Sequence, residues 1–573
     1  MLAFPLKSVD GAFPKGLYCT PVGKWFCRQS LQWVLPVRSQ VLISTLACAA
    51  WTVAVPAALN AADLPVTPAA DGEKPAARLT VEQLDALIQK QPGAAQQEVS
   101  QDDRGFLRRL SFDLIGRQPT LAEQQQFADE SSDDKYDAAV DRLLASREFG
   151  ENWANYWSDT IAYRVPPPEL TYLNYKPLKH WLTKNFNVNT PWNQVVHELL
   201  TAKGKVDEVP AATFVGYHAG NATNLASETS RIFLGQQIGC AQCHDHPFDS
   251  WERRQFHEMA AFFARAKSKL SQNDGGGTVV TSAEKGEYLM PDMDDPRKKG
   301  SQMTPSFLDG DSLDKGESDE RRRAELAAWV TGRENPWFAK AFVNRIWART
   351  MGRGFYEPVD DLGESQSPVW TDVHEALTGH FKATGYDVKD LFRLIATSDA
   401  YRRGVRTVDT DLPADQTPLR LRGDEVFAAL AVGIELPNIV PPKVEPTGAI
   451  RFPPPPKSTR DLVNDVFGAD PSFSAVDAPR TMAQALWMMN NEQLQAQIDA
   501  SPESDTMLAR LLAEETDDRA ACRVLYERVL ARKPTDDELR VACEHVESLG
   551  DRGAAFEDLL WSLVNSAEFT TRR

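Results

Sequence analysis

The chain has 573 residues, enough for about two to four domains of ordinary size. Hydrophobic residues make up 42% and charged residues 25%, which is typical of folded proteins and excludes a disordered, a collagen-like or a multi-span membrane protein. Asp and Glu number 81 against 63 Lys and Arg, and the formal net charge of −18 disfavours a nucleic-acid partner, because a phosphate backbone binds a basic face.

The first 62 residues predict export. Basic side chains predominate up to Arg38, residues 41–55 form an uncharged apolar stretch, and small residues follow. This order is typical of a secretory signal peptide, here after a long basic region, and the apolar stretch is short of the roughly 20 residues that a membrane-spanning helix needs. We therefore expect a signal peptide within 1–62 and a periplasmic, cell-surface or secreted protein. Membrane attachment would require that the signal remain as an uncleaved anchor.

The rest of the chain is predicted to be mainly α-helical, with two or three helical domains. Residues 63–77 are rich in Pro and Ala and predict a flexible leader. A helical domain is expected over 78–270, and a loop or small β insertion over 271–320, where Gly, Asp and Pro accumulate. A second helical region is expected over 321–573, with a Pro-rich connector at 437–457.

Local signals place some of these elements more closely. Thr80 and Gln83 form a capping-box pattern, and so do Thr120 and Glu123, which predicts that a helix begins after each Thr. A further helix is expected from about Ser227 to Ile238. The β-prone run from Thr278 to Thr281 predicts a strand in the insertion.

One pattern occurs twice. The segment from Arg117 to Glu123 reads Arg-x-Pro-Thr-x-x-Glu and is followed by Ala145–Phe149, which ends in Glu-Phe. The segment from Arg532 to Glu538 has the same pattern and is followed by Asn565–Phe569, which also ends in Glu-Phe. Two copies without a regular period predict a helix–turn–helix device used twice, not a solenoid.

The segment from Gly239 to Trp251 carries recognisable chemistry. It contains Cys240-Ala-Gln-Cys243-His244, and Cys-x-x-Cys-His is the attachment motif of c-type haem. Two thiols three positions apart can each bond to a vinyl group of one porphyrin, and the adjacent imidazole can then bind the iron. We therefore predict haem c bound by Cys240, Cys243 and His244. Export agrees with this prediction, because covalent haem attachment occurs outside the cytoplasm.

Other chemistries remain open for the same segment. Thiolate, imidazole and carboxylate groups are also the ligands of zinc and iron, and three of the nine His lie between positions 244 and 257. The candidate metal ligands, including those for a sixth position on haem iron, are His244, Asp245, His246, Asp249, His257 and Met259, with His218 further upstream. Alternatively, Cys240 and Cys243 form a disulfide, or the segment is a capped turn without a cofactor. Cys522 and Cys543, on neighbouring predicted helices, either form a disulfide or stay as buried thiols.

Longer strings around the motif resemble a known family. Phe106–Thr120 and Cys240–Trp251 closely resemble the second cytochrome-type domain of planctomycete secreted proteins. Asn335–Trp347 and Pro358–Gly363 resemble the planctomycete-specific domain that usually follows it. The resemblance spans about residues 80–570 and implies an exported protein with two paired domains of unassigned role. The family's cytochrome name itself rests on the Cys-x-x-Cys-His string.

Three functions follow as hypotheses. The first is a redox or cofactor-binding protein that carries haem c. The second is a divalent-metal enzyme, or a metal-stabilised module, that acts on an extracellular polymer. The third is a structural interaction protein with a Cys240–Cys243 disulfide. The expected partner is accordingly a redox protein or an extracellular polymer, and the sequence leaves open whether the chain is an enzyme. No phosphate-binding loop, dinucleotide fingerprint or hydrolase motif of the common kinds is present.

Overall fold

The computed structural model describes the chain from residue 78 to residue 572 with internal gaps. The described residues are 78–92, 103–132, 134–162, 176–271, 277–295, 297–314, 316–403, 418–443, 456–468, 470–472 and 480–572. The predicted signal peptide and leader lie outside them, as does most of the Pro-rich connector. The fold is mainly α, as predicted. Among the described helices, none combines the length and the apolar character needed to cross a membrane.

Helices dominate the part of the chain before the insertion. They are α1 (Val81–Gln89), α2 (Asp103–Ile115), α3 (Leu121–Asp129), α4 (Lys135–Ala145), α5 (Arg147–Ala162), α6 (Lys176–Asn187), α7 (Trp192–Thr201), α8 (Thr213–Tyr217), α9 (Ala222–Thr229) and α10 (Arg253–Ala261). Both predicted capping boxes are present, with Thr80 capping α1 and Thr120 capping α3. In each, the hydroxyl accepts from the third backbone N–H of its helix while the side chain there accepts from the Thr N–H.

The helix expected from Ser227 to Ile238 differs from the prediction at both ends. It begins earlier, because the Asn221 side chain accepts hydrogen bonds from the N–H groups of Thr223 and Asn224 and so caps α9. A π-helical turn, Ser230–Leu234, continues α9, and Gly235 then ends it with a φ of 62°. That left-handed conformation is one that Gly adopts at little cost.

The insertion contains a small sheet, as predicted. Strand β3 (Gly277–Ser282), which holds the run from Thr278 to Thr281, lies between β1 (Gly204–Lys205) and β2 (Ala266–Ser271). All pairs are antiparallel, and Val280 opposite Ser268 packs into the core. Two short pairs complete the strands, β4 (Leu289–Met290) with β5 (Ser301–Gln302), and β6 (Leu419–Arg420) with β7 (Thr571–Arg572).

Helices also form the rest of the chain. They are α11 (Asp319–Thr331), α12 (Phe338–Met351), α13 (Thr371–Ala383), α14 (Val388–Ala396), α15 (Asp399–Arg402), α16 (Gly423–Ile434), α17 (Thr459–Phe467), α18 (Met482–Asn490), α19 (Glu492–Ala496), α20 (Met507–Glu514), α21 (Asp518–Leu530), α22 (Asp536–Leu549) and α23 (Arg552–Val564). One buried hydrophobic core spans Leu84 to Tyr401, and a second spans Leu421 to Phe569 and takes in Phe112. The first core therefore includes residues on both sides of the insertion, and the predicted domain boundary there stays a prediction.

The repeated pattern builds the same ion cluster twice. Arg117 donates to both carboxylate oxygens of Glu123, at 2.8 and 2.9 Å, and to both of Glu148, at 2.7 Å each. Arg532 does the same with Glu538, at 2.8 and 2.7 Å, and with Glu568, at 2.7 and 2.8 Å. Each Arg thus ties the turn after one helix to a Glu far along the chain, and the bidentate geometry specifies the angle of the turn.

Candidate functional site

The Cys-x-x-Cys-His motif lies on an exposed turn. Residues Ile238–Gln242 form a short 3₁₀ helix, and the N–H of Cys243 donates to the carbonyl of Cys240 at 3.5 Å. The side chains of Cys240, Cys243 and His244 are all exposed, and both thiols are free. The turn therefore presents two thiols and an imidazole to solvent together. The other two described cysteines, Cys522 and Cys543, are also free.

The ring of His244 is oriented by its own backbone. Its Nδ1 lies 2.7 Å from the carbonyl oxygen of Asp245, and because a carbonyl only accepts, Nδ1 carries the proton and donates. In the neutral ring, Nε2 then bears the lone pair. This tautomer is the one that a metal-binding His adopts when its second nitrogen donates to a carbonyl.

A buried histidine packs against the inner side of the motif turn and hydrogen-bonds to its backbone. His257 on α10 is fully buried, and its Nε2–H donates to the carbonyl of Gln242 at 3.0 Å. Its Nδ1 accepts from the hydroxyl of Tyr288 at 2.8 Å. Burial lowers the pKa of His257, which favours this neutral form with one donor and one acceptor. Both ring nitrogens are occupied by protein groups, so His257 holds the turn and does not offer a free nitrogen.

Two acidic residues fasten the loop that follows the motif. Asp245 accepts from the N–H of Arg253, the first residue of α10, at 2.8 Å. Asp249 accepts from the N–H of Glu364 at 3.3 Å and packs so tightly over Gly363 that a Cβ there would overlap its carboxylate. Both carboxylates therefore accept from backbone N–H groups. Asp249 joins the motif loop to a second loop, residues 358–364, more than a hundred residues further along the chain.

The same second loop holds the chain just before the motif. The carbonyl of Gly235 accepts from the N–H of Leu362 at 2.7 Å. The amide of Gln237 donates to the carboxylate of Asp360 at 3.0 Å. A Cβ on Gly235 would lie 2.6 Å from Cδ1 of Leu362, and the φ of 62° at this position is one that Gly adopts at little cost. The loop at 358–364 thus brackets the motif on both sides.

The remaining predicted ligands differ in how deeply they are buried. His246 is half-buried, with its Nδ1 accepting from the N–H of Phe248 at 3.4 Å, whereas Met259 is fully buried in the first core. His218 is also buried, and desolvation lowers its pKa to about 4. Within the described parts of the chain, no three His, Cys, Asp or Glu side chains form a group that could hold a metal ion.

Two family models match the chain, and both describe proteins of unknown function. PSCyt2 (DUF1549) matches residues 83–268, and PSD1 (DUF1553) matches residues 322–429. The chain belongs to the proteins that carry this pair of domains. No curated protein and no solved structure matches the chain.

The PSCyt2 and PSD1 domains are joined beside the motif by a buried ion network. Arg231 of PSCyt2, 2% exposed, donates to Asp360 of PSD1 at 2.5 Å and to Glu228 at 2.5 Å. Arg345 lies 3.6 Å from the same Asp360 carboxylate. Burial opposes ionisation of Asp360, but the two guanidinium groups outweigh it and hold its pKa below the ordinary value. In the sequence, Pro358–Gly363 stands out only by its resemblance to the family, and the adjacent acids Asp360 and Asp361 are its available signal.

Arg345 of this network also lines a large cavity. It has a volume of about 1300 Å³ and is lined by PSCyt2, by PSD1 and by helices beyond PSD1. Its walls include Asp159, Lys179, Arg345, Arg420, Asn464, Arg480 and Trp561. These residues are spread between positions 159 and 561 and form no local motif, so no sequence signal connects them.

Proposed function

We propose that the protein is an exported haem c carrier, in which Cys240 and Cys243 bind the porphyrin covalently and His244 binds the iron. The observation that carries the proposal is the exposed turn on which both thiols and an imidazole with a free Nε2 lie together. Thioether formation needs reduced, accessible thiols, and iron binding needs the Nε2 lone pair. The donor set and its exposure therefore fit the group.

The protein's own contribution would be to hold the turn in place. His257 fixes the carbonyl of Gln242, while Asp245 and Asp249 fix the backbone after the motif. When bound, haem would supply one-electron chemistry, with a potential set by its axial ligands and exposure. The exposed side chain of Phe248, in the same loop, offers an apolar surface beside the motif. An exposed haem edge is suited to electron exchange with a partner protein.

Sixth-ligand candidates are restricted by their surroundings. Met259 is fully buried in the core, and both ring nitrogens of His257 are engaged. His246 is the half-buried imidazole that remains next to the motif. We therefore propose either a five-coordinate iron or an iron with His246 as its second imidazole. Export follows from the same proposal, because haem c is attached outside the cytoplasm.

Expression in an exporting host that matures cytochromes c tests the proposal. We expect a pyridine haemochrome band of the c type that survives denaturation, and we expect Cys240→Ser with Cys243→Ser to abolish it. His244→Ala should prevent stable loading. Cys543→Ser, which removes a thiol from α22, is the matched control and should leave the band unchanged.

A colourless protein from a host that loads a control cytochrome would contradict the haem proposal. Elemental analysis of that protein would then distinguish the alternatives. Stoichiometric zinc or iron lost with His244→Ala would favour a metal site. A metal-free protein with no titratable thiols at Cys240 and Cys243 would favour the disulfide.

A further inference from the structure

The cavity between the two domains has a cationic lining in an acidic protein. Seven Lys and Arg side chains and four Asp side chains line it among the described residues, whereas the whole chain has a net charge of −18. Several of these cations are neutralised, since Arg349 pairs with Glu425 and Arg422 pairs with Asp424 at 2.9 Å. The remaining positive charge of the lining therefore comes from Lys and Arg side chains other than Arg349 and Arg422.

Arg420 and Arg480 are the lining Arg residues that form no ion pair with a described carboxylate. Arg420 on β6 makes no side-chain hydrogen bond to any described residue, and its buried Nη1 has no partner. Arg480 has a single weak contact, from Nη2 to the carbonyl of Ala567 at 3.5 Å. The two guanidinium groups also lie close enough that Arg480 lowers the pKa of Arg420, after the larger effect of desolvation. Like charges facing one cavity without a counter-ion are suited to binding an anion.

Other unsatisfied polar atoms line the same cavity. They are the hydroxyl of Ser158, Oδ1 of Asn464 and Nη2 of Arg345. A buried polar atom without a partner costs about 1–3 kcal/mol, so such atoms are normally satisfied by protein, water or ligand. Their number in one cavity indicates a ligand that both donates and accepts hydrogen bonds. Hydroxyl groups do both.

The size and the apolar part of the lining favour an organic ligand over a small inorganic anion. The cavity of about 1300 Å³ exceeds the roughly 300–1,000 Å³ typical of sites for small organic molecules. Phe467, Met488 and Trp561 also line it and offer apolar surface to a carbon skeleton. A sugar ring with an acidic substituent combines carbon surface, hydroxyl groups and negative charge.

We propose that this cavity binds a hydroxylated organic anion of the sugar-acid class, with Arg420 and Arg480 holding the acidic group. Asn464 and Ser158 then bond to its hydroxyl groups, and Trp561 contacts its ring. The site is separate from the motif turn and does not depend on haem. Asp159 and Lys179 also line the cavity, and the side chain of neither forms a hydrogen bond to a described residue.

Isothermal titration of the purified full chain with D-glucuronate tests this proposal, with D-glucose and sodium sulfate as comparison probes at constant ionic strength. We expect glucuronate to bind more tightly than glucose. R420Q and R480Q should each weaken glucuronate binding by about tenfold or more, because each removes a charge-assisted hydrogen bond. R297Q, which removes an exposed Arg outside the cavity, should have no effect.

Three outcomes would overturn the proposal. They are no detectable glucuronate binding, an equal loss of binding in R297Q, and displacement of glucuronate by sulfate at equal affinity, which would mark a simple anion site. Arg480 is exposed, so R480Q should fold even if R420Q does not. His244→Ala should bind glucuronate normally, which separates failure here from failure of the haem proposal.

Discussion

The motif turn and the cavity differ in how their polar groups are held. On the turn, thirteen consecutive residues supply the chemistry, the reactive side chains face solvent, and neighbouring residues hold mainly backbone. In the cavity, side chains from distant parts of the chain face one another, and several are buried without partners. A short motif can therefore reveal the first kind of site, whereas the second kind exists only after the chain has folded.

The two regions meet at one carboxylate. Asp360 accepts from Gln237, which immediately precedes the motif helix, and from Arg231 in the domain interface. Arg345, near the same carboxylate, lines the cavity. Substitutions in the 358–364 loop should therefore test whether the stability of the motif turn and that of the cavity depend on each other.

The largest effect is expected from Asp360→Ala. The change would leave Arg231 and Arg345 buried with less negative charge beside them, which typically costs about 3–5 kcal/mol of folding free energy. Urea unfolding of the two proteins measures this difference. Asp505→Ala, which removes a fully exposed partner of Arg510, should cost less than about 1 kcal/mol. Equal losses in the two variants would mean that the buried network does not stabilise the interface.

A smaller effect is expected from Gly363→Ala. The added Cβ would overlap the Asp249 carboxylate, so this side chain must turn away and release the N–H of Glu364, which frees the motif loop from the 358–364 loop at a cost of about 1–3 kcal/mol. We expect a lower melting temperature and faster reaction of Cys240 and Cys243 with a thiol reagent.

Gly379→Ala is the matched control for that change. Gly379 lies in α13, where a Cβ would meet no neighbouring atom within 4 Å, so the change should stabilise the protein by up to about 1 kcal/mol. An unchanged thiol reaction rate in Gly363→Ala would show that the second loop does not position the motif.

The smallest effect is expected from Asp159→Asn, and it should depend on pH. Desolvation and the nearby Asp424 raise the pKa of Asp159 from 3.8 to about 7, against smaller opposing effects of Arg422 and Lys179. Between about pH 4 and pH 7 the folded protein therefore holds a proton that the unfolded chain has lost, so this contribution to stability decreases as pH rises through that window. Because the carboxylate is open to the cavity, solvent reduces the effect to on the order of 1 kcal/mol.

Unfolding curves at pH 4 and pH 8 measure this effect. Asp159→Asn should be close to the native protein at pH 4 and more stable than it at pH 8. Asp465→Asn, which changes a cavity residue that pairs with Lys457 at 2.5 Å, should not produce this pattern. Parallel pH profiles for the native protein and Asp159→Asn would contradict the raised pKa.

The predictable part of the structure was encoded in short segments. Thr80 and Thr120 cap helices because the interactions of a capping box span only three residues, and residues 278–281 form a strand as their β-prone side chains predict. The helix expected from Ser227 to Ile238 is displaced at both ends, because Asn221 caps it six residues before the expected start and Gly235 ends it before Ile238. The motif residues follow from their spacing in the sequence, whereas the 358–364 loop that brackets them is indicated there only by its resemblance to the family.

The sequence by itself determined the mainly helical fold, the capped turns, the repeated Arg–Glu pattern and the Cys-x-x-Cys-His motif, since each depends on residues close together in the chain. Only the tertiary structure decided that Arg117 and Arg532 each bind two Glu residues in the same way, that His257 supports the motif turn and that Asp360 joins the two domains. It also decided that Arg420, Arg480 and Asp159 share one cavity. The physical reason is that local hydrogen bonds depend on sequence spacing, whereas burial, charge pairing and cavity shape depend on which distant surfaces the folded chain brings together.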